Sequence, residues 1–507
     1  MISLRRLAVL SLLFCFLAPI HCRRAAGGDG DPVEREAEAA FVSYLRIDTS
    51  NPPGNETAGA RFLQGLLVKE GIDAKLVGSD PNRQSVYARL VSGSNEKALI
   101  LLHHIDVVPA IASEWTKPPF AGLRSGGYIW GRGALDIKSL GIAELMAFID
   151  LKRRHLPLKR DVIYLAVADE ELGGINGCGA LLEQHPELFA NAGFVLNEGG
   201  YNETIVDRVS FWGIEVQAKV PLWLRLTMKG SAGHAASPPD DGGTLAKLIR
   251  SLDAIERIPR PYRLTPAVAR SFHEAGKARH DERGEVLRGI AEPLDVPRLE
   301  RVLSPGYRSL LHDTIAITRI AGGSSINVLP TTASADVDIR LLPDETTAPM
   351  MAKVKETLPN GGSVETLLAG QPVPDSPSDT ELFRVLASAM KSAEADSIVG
   401  AVVGSGTSDS RYFRARGIVA YGIAPFKVNY YDADTVHAND ERIRARFFAE
   451  GVRLMRSIVT EFCAKPGRTG IGSRGSGVVG VSRTISDPRP PTPDPRSLSL
   501  VSKPGVS

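Results

Sequence analysis

Two short stretches constrain this chain more than anything else in it. Ala98–His104 (ALILLHH) and Val162–Ala168 (VIYLAVA) are continuous apolar runs, and continuous rather than alternating apolarity marks a strand covered on both faces. Both runs stop at titratable residues. Helical patterns lie around them, over 33–47, 57–70, Leu140–Leu151 and Gly177–Gln184, and Gly193–Leu196 repeats the strand pattern. Strands alternating with helices predict an α/β domain built on a mostly parallel, helix-covered sheet.

Near residue 219 the pattern changes. Leu222–Met228, Thr314–Ile320 and Ala333–Leu341 alternate as half-buried strands, Thr244–Ile255 and Thr346–Leu358 read as helices, and Val364–Ala369 closes the series. The order β-α-β-β-α-β is that of a ferredoxin-like sandwich. Residues 257–312, rich in Arg, His and Pro, read as an insertion within it. After 374 the α/β pattern returns, with a helix over 379–393, strands Ile398–Val403 and Ile418–Tyr421, and a long helix over 440–462. The expected organisation is a catalytic domain in two parts, 33–217 and 372–463, interrupted by a small α+β domain over 218–371. Residues 464–507, dominated by Gly, Ser, Pro and Arg, hold too little apolar content for a core and read as a disordered tail.

Charge narrows the partners. The 507 residues carry a formal +2, but residues 1–24 hold Arg5, Arg6, Arg23 and Arg24 with no acid, and residues 464–507 hold seven Lys/Arg against two Asp. The body between them is therefore acidic, without the basic footprint of a nucleic-acid binder. After the N-terminus no apolar run is long enough to span a bilayer. Arg5 and Arg6 followed by Leu7–Ala18 (LAVLSLLFCFLA) read as an export signal over 1–24. The protein is expected in the periplasm or outside the cell. Cys22 invites a lipid anchor, but His21 is the wrong small-residue context for one. Cys178 and Cys463 leave room for one disulfide and demand none.

Five segments gather the polar residues where open α/β sheets place their sites, at strand C-terminal ends. His104 and Asp106, at i and i+2, leave the first strand on one side, the arrangement of a metal-ligating imidazole and its orienting acid; His103 points the other way. Asp136 closes the Gly-bearing segment Gly131–Asp136 and could equally cap a helix. Asp169, Glu170 and Glu171 repel one another unless cations sit among them, or unless they form a solvated loop. Glu198 ends another apolar strand, and His437 precedes the last helix. Two imidazoles and several carboxylates without cysteine form the inventory of a two-metal hydrolytic site. They suit Zn²⁺, with Mn²⁺ or Co²⁺ as substitutes.

These five segments, in this order, resemble those of the co-catalytic di-zinc metallopeptidases that include glutamate carboxypeptidase, aminoacylase, acetylornithine deacetylase and succinyl-diaminopimelate desuccinylase. The resemblance spans residues 35–463. It implies two zinc ions, with His104 and Glu198 on the first, Glu171 and His437 on the second, and Asp136 bridging them. It also implies Glu170 as general base and Asp106 as the orienting partner of His104. In such enzymes the small domain dimerises and contributes a histidine to the neighbour's site; His234, in Gly230–Pro238, matches it. Asn327 and Arg340 match substrate contacts, Arg340 suiting a carboxylate through a bidentate pair, and Gly406 and Thr407 lie in a turn that could wrap the same end. Unplaced, His234 is also an ordinary surface histidine and Arg340 an ordinary strand-face charge.

The activity implied is hydrolysis of an amide next to a free amino-acid carboxylate, in a small peptide or an N-acyl amino acid, by a homodimer. The aminopeptidases, dipeptidases and deacylases of the same family are alternatives. A non-catalytic binding protein on this scaffold would have to lack Glu170 or a ligand, and none is missing.

Overall fold

The computed structural model describes residues 31–465; the signal expected over 1–24 and nearly all of the tail over 464–507 lie outside the described residues. Four strands at the centre of the larger sheet, Val162–Val167, Ala98–His104, Ala192–Asn197 and Val419–Gly422, run parallel in that spatial order. Antiparallel strands Ser85–Leu90 and Ala74–Val77 extend one side. On the other, Arg208–Ala218 meets Val419–Gly422 antiparallel and Ile398–Gly404 parallel. The sheet is thus parallel where the site lies and mixed at its margins.

The apolar runs behave as their composition demands. Leu99 and Leu101 join the core under helices Lys138–Arg153 and Ala445–Cys463, whereas Ile100 and Leu102 pack beneath Ala180–Gln184 on the opposite face. Every residue of this strand is buried, and truncating one such leucine to alanine costs about 2–5 kcal/mol. A fixed strand of this kind fixes the place where its end emerges. The helix expected over Gly177–Gln184 is regular only from Ala180. Gly177 departs from helical geometry and presses on the backbone oxygen of Ala168, where a Cβ would sit only 1.7 Å away.

A second sheet, ordered Thr314–Gly322, Thr332–Leu341, Val220–Lys229, Gly362–Ala369, carries helices Gly243–Glu256 and Thr347–Glu356. Leu222, Leu226, Leu248, Leu252, Val337 and Val354 fill its core. This is the β-α-β-β-α-β sandwich. The insertion does not belong to it in space. Val268, Phe272 and Leu287 of residues 257–312 pack on Phe211, Val402 and Val403 of the larger sheet. A segment inside the small domain by chain order therefore widens the large one.

The last helix also starts later than its pattern suggests. Arg442–Arg444 is a strand antiparallel to Tyr128–Trp130, and the helix is Ala445–Cys463. Ile443 is buried while Arg442 lies over the rings of Tyr128 and Trp130, at 5.4 and 4.9 Å. Cation–π contacts and strand pairing override helical propensity here.

Candidate metal centre

The site forms at the C-terminal ends of the parallel strands. His104 is the last residue of its strand and is 2% exposed. Its Nε2 lies 3.1 Å from Oδ1 of Asp136 and 3.7 Å from Oε1 of Glu198. His437 approaches from the other side, its Nε2 3.0 Å from Oδ2 of Asp136 and 3.3 Å from Oε2 of Glu171. The two oxygens of Asp136 thus face different imidazoles, each with a further carboxylate beside it. The ligand-type atoms of His104, Asp136 and Glu171 lie within 4.8 Å of one another, as do those of His104, Glu170 and Glu198.

Electrostatics describe a site short of positive charge. Burial, reinforced by the charge of Glu198, holds the Glu170 carboxyl well above the usual carboxylate range. Burial and then the charge of Asp136 push Glu171 to about 7. Hydrogen bonds to Asp136 and Glu171 lift His437 to about 11 against its burial. Burial opposes protonation of His104, but the charge of Glu198 and the bond to Asp136 outweigh it. Buried acids behave this way when no cation compensates them. Among the described residues, Oε1 of Glu171 is buried with no hydrogen-bond partner. Nitrogen and oxygen donors, one carboxylate shared between two histidines and an orphaned acid oxygen fit divalent-metal binding.

Not every acid faces that centre. Asp169 turns away: Arg83 reaches its Oδ1 at 2.6 Å and the Asn176 N–H reaches Oδ2 at 2.8 Å. Asp136 caps no helix, since Lys138–Arg153 opens after Ile137 without a side-chain cap. Asp106 differs from expectation in how it acts. Nδ1 of His104 meets the backbone oxygen of Asp106 at 2.9 Å, while the carboxylate stands 3.7 Å off. That carboxylate instead accepts the N–H groups of Glu170 (3.2 Å) and Glu171 (3.1 Å) and the side-chain amide of Asn51 (2.9 Å). The two-residue spacing puts both Asp106 groups near the histidine, and the loop amides take the carboxylate. His103, beneath the site, is fully buried 3.5 Å from Glu144.

The small domain contributes unevenly. A cavity of about 1000 Å³ opens on Asp136, Glu170, Glu171, Glu198 and His437, and Arg340, Gly406 and Thr407 line it. Asp338 grips Arg340 at 2.7 and 2.9 Å, and Trp223 lies 5.4 Å beneath its guanidinium. His234 and Asn327 do not line it. They sit together on the outer face of the small domain, where Gly233–His234 pairs with Val328–Leu329 and the Ala235 N–H donates to the Asn327 carbonyl. Nδ1 of His234 accepts the Ala236 N–H at 3.0 Å, which places the ring proton on Nε2. Sequence reasoning missed Asn51, Arg83 and the insertion's Tyr307 and Leu310, which line or brace the site. Asn51, in the turn Asp48–Gly54, had no local pattern to reveal it.

Residues 100–461 match the model of peptidase family M20/M25/M40. The chain belongs to this family. It is a metallopeptidase-type amidohydrolase, and the M20 family is metal-dependent. Among relatives, the N-fatty-acyl-amino acid synthase/hydrolase PM20D1 of Xenopus tropicalis is 30% identical over 367 residues, 70% of this chain and 70% of that one. Human aminoacylase-1 is 26% identical over 451 residues, 86% of this chain and 98% of the relative. Among solved structures, the M20 metallo-carboxypeptidase Sso-CP2 of Sulfolobus solfataricus aligns with TM-score 0.67 at 20% identity, covering 84% of this chain and 99% of its own. Human carnosine dipeptidase 1 aligns at 0.66 and 17%, covering 85% and 98%. Both structures share the fold of this chain.

Proposed function

We propose that this M20 hydrolase cleaves the amide of N-acyl amino acids with apolar acyl groups. The observation that carries the reading is the composition of the cavity wall. Beside the candidate metal centre it presents Leu172, Trp223, Tyr307, Leu310 and Leu367, together with Arg340. A wall of this kind takes an acyl chain, and a guanidinium takes a carboxylate. The two relatives named above, a fatty-acyl-amino acid hydrolase and an aminoacylase, support the same class.

His104, Asp136, Glu171, Glu198 and His437 would hold two zinc ions, which supply Lewis-acid charge and lower the pKa of water toward neutrality. Glu170, buried with its carboxylate among the ligand-type atoms of His104 and Glu198, is placed to act as the base. It takes the proton of the attacking water and returns it to the leaving amine. Arg340 orients the amino-acid carboxylate, and Gly406 and Thr407 border the same cavity. His234, exposed with its ring proton on Nε2, is suited to stabilise the oxyanion in a second subunit's site. The homodimer this requires is supported by an open edge strand, Thr314–Gly322, with Ile320, Ile326 and Val328 exposed nearby. Export is supported by the basic and apolar N-terminal run.

The test is a panel of N-acyl amino acids of increasing acyl length beside dipeptides, each with free and amidated carboxylates. Hydrolysis of the acyl amino acids, lost on amidation, is expected. Cleavage confined to dipeptides would reject the reading. Tyr307→Ala and Leu310→Ala should each lower kcat/KM for long acyl groups about 10-fold or more, from the 1.5–3 kcal/mol of a buried apolar side chain, and leave acetyl substrates unchanged.

A further inference from the structure

Glu441 is fully buried, four residues beyond His437, and its carboxylate serves one loop. Oε2 accepts Nη1 of Arg132 at 2.8 Å and the N–H of Gly133 at 3.0 Å. Oε1 accepts the N–H groups of Leu135 at 2.6 Å and Asp136 at 3.0 Å. The backbone joins in, because the Gly131 N–H donates to the Glu441 carbonyl at 3.0 Å. One acid therefore receives three amides of a single loop and a buried guanidinium.

The loop so held is the one that carries Asp136. The segment that holds it is the one that carries His437, and neighbouring Asp440 pins that segment to the Thr116 N–H at 2.8 Å. Burying a carboxylate is costly. A group kept at that cost with all its acceptor capacity spent on one loop acts as a strut. Its natural readout is the relation of Asp136 Oδ2 to His437 Nε2, 3.0 Å apart.

We propose that Glu441 is a positioning residue of the metal centre: it locks the Asp136 loop against the His437 segment so that both donors meet the same cation. The proposal rests on the metal-centre reading, and its test separates the two. Apo protein is titrated with zinc against a chromophoric chelator, for the parent and for Glu441→Gln, whose amide N–H₂ would face backbone donors. Leu386→Ala, a core truncation that leaves the site residues intact, supplies a destabilised reference.

Expected is a 10–100-fold loss of zinc affinity in Glu441→Gln, the usual effect of removing a partner behind a ligand, with kcat lowered and KM little changed. Leu386→Ala should bind zinc like the parent. Parent-like affinity in Glu441→Gln, or an equal loss in Leu386→Ala, overturns the proposal. Should Glu441→Gln not fold, Glu441→Asp, which keeps the charge but is one methylene short, is judged by the same criterion. A parent protein that binds no zinc would instead overturn the metal-centre reading itself.

Discussion

Oδ1 of Asp106 accepts the backbone N–H of Glu170 at 3.2 Å. Because Oδ2 takes the next amide, that of Glu171, a single buried carboxylate holds the turn at both Glu170 and Glu171. The proposed base and one proposed ligand leave that turn as adjacent side chains. Glu170→Gln should lower kcat by about 10²–10⁴-fold, the span ascribed to a positioned acid–base group, while bound metal stays at the parent level. Asp106→Ala should lower both, since the turn loses its anchor. Steady-state kinetics with elemental analysis read the two variants; normal turnover in Glu170→Gln would remove it from the mechanism.

The two proposed cations should not leave together. The side chain of His437 is 53% exposed and that of His104 only 1%. Graded dialysis against a chelator should first remove about one equivalent, the one His437 helps to hold, with loss of activity that zinc restores. His437→Ala should retain about one equivalent where the parent holds about two. Metal content falling in one step to zero would contradict this order.

If His234 serves a second subunit, defective chains should complement each other. His234→Ala and His104→Ala proteins, each inactive, are mixed under conditions that exchange subunits. Random pairing leaves one complete site in half of the dimers, so up to about a quarter of the parent activity should return. Exchange is verified by mass spectrometry of tagged chains. No recovery after proven exchange would confine the site to one chain.

Glu144 gives the protein a pH-dependent stability unrelated to catalysis. It is fully buried below the site, and burial raises its pKa well above the ordinary value of 4.5, with the Leu102 N–H acting weakly the other way. The folded state keeps this proton at pH values where the unfolded chain has released it. Stability therefore falls as pH rises from about 4.5 toward the folded pKa. Glu144→Gln removes that slope, so its Tm advantage over the parent should grow from pH 5 to pH 8. A constant difference across this range would mean that Glu144 is ionised in the folded protein.

Much of this protein is written locally. Unbroken apolar runs such as ALILLHH and VIYLAVA determine strands buried on both faces, because only a helix-covered sheet hides such a strand from water. The His, Asp and Glu residues that end them must then emerge along one edge. What tertiary structure alone decided is how those residues are shared out. Asp169 went to Arg83, the carboxylate of Asp106 went to two loop amides, and residues 257–312 went to the larger sheet. Each outcome depends on partners more than 50 residues away in sequence. Hydrogen bonds and packing at that range are set by the meeting of surfaces in space, and no local period of hydrophobicity or charge encodes them.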